Sequence, residues 1–215
     1  MTQTFPLALD FFSGLSPAKC TFYLPPALKV SRTRGGSIIT AKTAERLWVG
    51  SVTLPFMGNR DAAVISAQLS SLSESGRTLL ARSLPFSGPR ADPEGSIMGA
   101  ALPTIQTLAA NSRELKIAGL PSNYVLSAGD YLSFTYGSDP VRYAFHQIVV
   151  GGAASAAGLT PLIEVTPDIR VGAVTGTTVE LIEPFFKAIL TPTQHGTYTS
   201  LFAEDITFQL LQSLG

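Results

Sequence analysis

AGDYLSFTYGSDPVRYAFHQIV, residues 128–149, decides how this chain is read. It holds aspartates, an arginine, three tyrosines and His146, one of only two histidines in the chain. Such side chains suit an active site, but their spacing points elsewhere. Leu132, Phe134 and Tyr136 alternate with Tyr131, Ser133 and Thr135. Beyond Gly-Ser-Asp-Pro, residues Val141, Tyr143, Phe145, Gln147 and Val149 alternate with Arg142, Ala144, His146 and Ile148. Successive side chains of a strand point to opposite faces, so two such runs joined by a turn predict a β-hairpin. Gly129 can take a positive φ and Asp130 can bond its own backbone, which makes 128–130 a tight turn. His146 falls in phase with Arg142, opposite the aromatic face of Tyr143 and Phe145. The stretch reads as scaffold.

Outward from the hairpin, TIQTLA, RELKIAG, TPLIEVT and TTVELIE are further short strands, and together these segments predict a small barrel or sandwich. The Pro- and Gly-rich LPFSGPRADPEGS, residues 84–96, marks a long turn or boundary before them. On the N-terminal side KCTFYL, ALKVSR, SIITA, ERLWVGSVTL and RTLLARS read as strands. Trp48, Val52 and Leu54 share one face of the fourth, with Gly50 between them. One helix interrupts the pattern at about 60–74. Ala62, Ile65, Leu69 and Leu72 draw its apolar stripe, Asn59 is the expected N-cap, and Gly76 is the stop. FFKAILT, TYTSLF and ITFQLLQS predict three closing strands.

Charged residues make up 14% of the chain, against about 25% in a typical soluble domain. So little charge fits a surface partly covered by partners. Fifteen basic residues balance fifteen acidic ones, whereas nucleic-acid binders carry a basic excess to neutralise phosphates. Arg32 and Arg34 in SRTRGGS read as a solvated turn, and Arg113, Lys116, Arg142 and Arg170 are scattered. Cys20 is the single cysteine, which excludes an intrachain disulfide; it reads as a buried inert thiol. MTQTFPLALDFF lacks the positive start of a secretory signal, and IVVGGAASAAGLTPLIEV is too broken by glycine and proline to span a bilayer. A soluble protein of a reducing compartment is expected.

The search for chemistry finds residues without partners. His146 and His195 are the candidate bases, but no G-x-S-x-G elbow accompanies them and no metal-ligand spacing surrounds either. His195, in TPTQHGTYT, reads as a hairpin-tip residue. RTRGGS lacks the Lys-Ser/Thr of a phosphate-binding loop. Glu164, Glu180 and Glu183 could supply paired carboxylates, but Glu180 and Glu183 would point to opposite faces of a strand. No catalytic, cofactor-binding or metal-ligating residue is expected, and no enzymatic role.

The order of parts carries a resemblance. TAERLWVGSVTLP, a helix, DPEGSIMGAALPTI, the stretch from IAGLPSNYVLSAGDYL to HQIV, TPLIEVTPDIRVGAVTGTTVELIEP and ITFQLLQSLG follow one another. This series resembles the distal tail proteins of long-tailed phages and prophages. The resemblance implies a mainly β fold: a tail-tube-like β-sandwich with one flanking helix, formed by residues 1–90 and 184–215, and an inserted small OB-like barrel at 97–183. It further implies a hexameric ring in the virion tail tip, assembled in the host cytoplasm. That ring would join the tail tube protein to tip or hub proteins, let DNA pass without sequence-specific binding, and need neither cofactor nor membrane insertion. The apolar FPLALDFF segment and the strands around Trp48 and Phe208 would then be lateral contacts. A tube or terminator subunit is an alternative. A host-surface carbohydrate-binding module, with Tyr131 and Tyr143 as exposed platform residues, is another.

Overall fold

The computed structural model describes residues 4–84, 86 and 88–214, the side chains of 192–195 excepted. Its elements begin with α1 (Leu9–Ser13), β1 (Lys19–Tyr23), β2 (Leu28–Arg32), β3 (Ile38–Lys42), β4 (Val49–Thr53) and β5 (Met57–Gly58). Then come α2 (Asn59–Leu72), β6 (Leu79–Arg82), β7 (Thr104–Leu108), β8 (Glu114–Ala118), β9 (Val125–Leu126) and β10 (Tyr131–Tyr136). β11 (Arg142–Val150), β12 (Gly152–Ala153), β13 (Ile163–Thr166), β14 (Val179–Glu180), β15 (Phe185–Tyr198) and β16 (Phe202–Gln212) follow. The fold is mainly β: a β-sandwich joined to a nearly closed barrel.

The first sheet runs β1-β4-β16-β15-β6, with β5 pairing β16 farther along. Its strands thus come from both ends of the described chain, and residues 104–180 build the barrel between them. Period-2 burial sets one core face: Val52, Leu79, Ala81, Phe186, Ala188, Phe208 and Leu210 are all buried there. Trp48, Val52 and Leu54 are buried together, as their alternation predicts. The stripe of α2 covers this face through Ala62, Leu69 and Leu72.

Two details of the helices differ from expectation. Gly58, not Asn59, is the N-cap of α2, and Asn59 instead donates from Nδ2 to the Thr199 carbonyl at 3.0 Å. A second helix, α1, lies on β6 and buries Phe12 against the same core. The third closing strand is absent too. β15 and β16 form one long hairpin, and TYTSLF supplies its turn. Pro192 cannot donate to the ladder, and the register shift between Pro192 and Gln194 absorbs it as a bulge.

The barrel runs β14-β10-β11-β13-β8-β7, all antiparallel, and a Thr104–Thr178 bridge brings β7 back beside β14. Its interior holds Ile105, Leu115, Ile117, Leu126, Leu132, Ile148 and Ile163. The segment before it is pinned by Asp92, whose carboxylate accepts from the Ile97 and Met98 amides, the Ser96 hydroxyl and the Tyr124 phenol. Burial pushes the Asp92 carboxyl up, but these four donors outweigh it and hold the group below its ordinary range. Gly95 lies against Ile182, so the chain enters and leaves the barrel at one place.

Two glycines separate conformational strain from close packing. Gly158 has φ +73°, and a Cβ there would fall onto the Leu120 carbonyl; Gly129 has φ +97° and open space around it. Gly129→Ala should cost about 1–2 kcal/mol for the left-handed backbone alone. Gly158→Ala should cost about 3 kcal/mol or more, because the clash adds to the same strain. Urea unfolding of the two variants checks the difference, and equal losses would contradict it.

The β10–β11 hairpin has the predicted phase, with Leu132 opposite His146 and Ser133 opposite Phe145. Both of its faces are buried. Leu132, Phe134, Tyr136, Ala144 and Ile148 fill the barrel, while Tyr131 and Phe145 belong to the core of the first sheet. There Trp48 stacks on Phe22 at 4.9 Å, meets Phe145 and Tyr131 edge-on, and donates from Nε1 to the Phe145 carbonyl at 3.0 Å. One strand pair is therefore a wall of two cores.

Candidate functional site

The residues that could do chemistry are dispersed. His146 is 2% exposed, inside the barrel and stacked on Phe134 at 5.5 Å. Its Nδ1 lies 2.8 Å from the Pro167 carbonyl. A carbonyl only accepts, so Nδ1 carries the proton and Nε2 is a bare acceptor, buried without a partner among the described residues. Burial, helped by Arg170, pushes the imidazole down to about 4 against the opposing pull of the Pro167 carbonyl and Asp168. A base this deep and this weak does not meet a substrate in this conformation.

Glu180 accepts from the Ile182 and Glu183 amides and so shapes a turn, Glu183 faces Arg82 at 3.8 Å, and Glu164 sits apart on β13. Cys20 is half-buried on β1, and burial raises its thiol pKa, which keeps thiolate scarce. His195 is in β15, opposite Ile206, rather than in the turn; its side chain lies outside the described ones. Among the described residues no helix is long and apolar enough to cross a membrane.

What stands out is a pair of projections at opposite ends of the first sheet. β1 and β4 pair from Lys19–Thr53 to Tyr23–Val49, and beyond Tyr23 the same two chain segments continue as the β2–β3 arm. Pro25 and Pro26 interrupt the ladder between sheet and arm. Every residue of β2 and β3 is exposed. Leu28 and Val30 share a face with Ile38 in this register, and each is about 60% exposed.

The arm's root is held firmly. Arg46 donates to the Leu24 and Pro25 carbonyls and to the Thr166 hydroxyl. Lys42 bridges Glu45 at 2.7 Å and Asp168 at 3.6 Å, while Arg113 and Arg170 reach Asp168 and Glu45. At such exposure each pair is individually weak, but the network joins the arm to the 166–170 loop of the barrel. Between them is a cleft of about 370 Å³ lined by Pro26, Leu28, Lys42, Arg113 and Pro167.

At the other end the β15–β16 hairpin runs past Thr53 to its turn at Thr199–Phe202. Leu201 is 69% exposed, Phe56 is 71% exposed and packs edge-on against Phe202, and Tyr198 is half-exposed. The residues expected from sequence as lateral contacts lie elsewhere. Phe12, Trp48 and Phe208 are core residues, each nearly inaccessible, and apolar character alone could not separate core from contact. The arm's signal was present in its composition: residues 28–42 hold four cations and no acid. No protein-family model matches this chain, and no curated protein is significantly similar to it.

Proposed function

We propose that this chain is a structural virion protein of a long-tailed phage, a ring-forming adaptor at the distal end of the tail. One observation carries the assembly part of that reading: the arm is a two-stranded ribbon with no buried residue and three large aliphatic side chains on one face. An isolated hairpin of this kind is marginal in water, and a partner laid on it supplies the missing burial. The order of sequence parts resembling distal tail proteins supplies the identity of the assembly, and the low charged fraction agrees with a subunit that hides much of its surface. The outer face of the first sheet also suits a DNA channel. Thr21, Ser51 and Gln209 are cross-strand neighbours there, as are Thr53 and Thr207, and such neutral side chains do not grip phosphates; Lys19, Lys187 and Arg82 are cations on that face.

The glycan-binding alternative loses its platform, because Tyr131 is 7% exposed and Tyr143 is half-buried. Electron microscopy of the purified protein and of particles tests the main reading. Rings are expected from the protein, and one ring's worth of copies per virion. Many stacked copies would instead favour the tube subunit. A monomer absent from particles would refute the proposal.

A further inference from the structure

The arm and the tip differ in more than position. Residues 28–42 carry Lys29, Arg32, Arg34 and Lys42 and no acid, while residues 196–206 carry Glu204 and Asp205 and no lysine or arginine. Lys29, Arg32, Arg34, Glu204 and Asp205 are exposed, and none makes a salt bridge among the described residues. A chain with zero net charge thus gives the arm unpaired positive charge and the β15–β16 tip unpaired negative charge; Lys19 at the start of β1 and the neighbouring Arg60 and Asp61 of α2 are exposed nearer the tip than the arm. Each end also presents apolar side chains: Leu28, Val30 and Ile38 on the arm, Phe56, Tyr198, Leu201 and Phe202 at the tip.

We propose that the cationic arm of one copy docks on the acidic tip of the next copy. This rests on the ring-forming reading and specifies its contact. Two different surfaces at opposite ends make a heterologous, head-to-tail interface, which generates a closed ring when the rotation between copies closes and a filament when it does not. Burying the aliphatic and aromatic side chains supplies the attraction, and the opposite charges fix which end meets which. Like ends repel, so arm–arm and tip–tip pairs are disfavoured by the same residues.

The test uses the full chain with two exposed-surface variants, an arm variant (Val30→Asp with Ile38→Asp) and a tip variant (Leu201→Lys with Asp205→Lys). Circular dichroism spectra should match the parent, since none of these side chains is in a core. By light scattering coupled to gel filtration, each variant alone is expected to be monomeric. Their equimolar mixture is expected to associate, because the intact arm of one variant meets the intact tip of the other. If the tip variant still forms rings while the arm variant does not, the arm uses another surface and the inference is overturned, with the ring reading intact. A mixture that stays monomeric, or variants that both still form rings, overturns it as well. A parent protein that is monomeric and absent from particles removes the ring reading itself.

Discussion

Trp48→Ala is expected to lower the free energy of unfolding by about 4 kcal/mol, within the range for losing a buried tryptophan. The ring is 2% exposed and sits where the first sheet meets the barrel hairpin. Its loss removes the stack on Phe22, the edge contacts with Tyr131 and Phe145, and the bond from Nε1 to the Phe145 carbonyl. Phe22, Tyr131, Phe145 and Phe186 also contact one another, so the surrounding rings cannot all collapse into the space. Trp48→Phe keeps a ring on Phe22 and removes the donor; it should cost far less, about 1–2 kcal/mol. Urea unfolding followed by circular dichroism measures both. An alanine loss below about 1 kcal/mol would mean the ring is not part of the joint core. Trp48 is the only tryptophan, so its fluorescence in the parent reports this junction alone.

Acid should destabilise the protein through His146. The imidazole is held at about 4 in the fold, mainly by burial, while an unfolded histidine titrates near 6.5. Between those values the unfolded chain takes up a proton that the folded chain refuses. The neutral histidine's contribution is therefore complete above pH 6.5 and is lost as the pH falls, by ~3 kcal/mol at pH 4. The physical reason is visible at Nε2, which would carry its new proton into the barrel with no hydrogen-bond partner among the described residues. His146→Phe keeps an aromatic ring against Phe134 and cannot titrate. Stability measured from pH 7 to pH 4 should fall less steeply in H146F than in the parent. Parallel slopes would sink the argument, and the comparison cancels Asp92, which also loses stabilisation in acid because its folded pKa is depressed.

Local periodicity made much of the fold legible. The period-2 runs of 131–136 and 141–149 fixed the hairpin and its phase, because a pleated strand leaves no freedom there. The stripe on α2 was equally plain. What the phase could not tell was destination: Tyr131 and Phe145 look no different from Leu132 and Phe134, but they enter a different core. The sequence places His146 correctly relative to its neighbours, although which face is sealed from water depends on segments farther along the chain, such as β13 and the Pro167 loop. The sequence pattern breaks β15 at Pro192 and Gly196, since those residues usually end strands, whereas a bulge carries the ladder past Pro192 and the register continues across Gly196. The arm's strands were evident and its isolation was not, because exposure is set by what fails to pack on a segment. Its one-signed charge was the available hint.

The hairpin with two buried faces has a consequence for how such a chain can change. A barrel attached by a linker is a cassette, free to be cut out or exchanged. This one also forms the lid over Trp48, Phe22 and Phe186, so excising residues 97–183 would open that aromatic floor to water. Any replacement inserted at the same two crossing points must bring its own lid: a strand pair whose outward face reproduces Tyr131 and Phe145 while its inward face fills a new barrel. Barrel and sheet are separate in their hydrogen-bonded ladders and single at their junction.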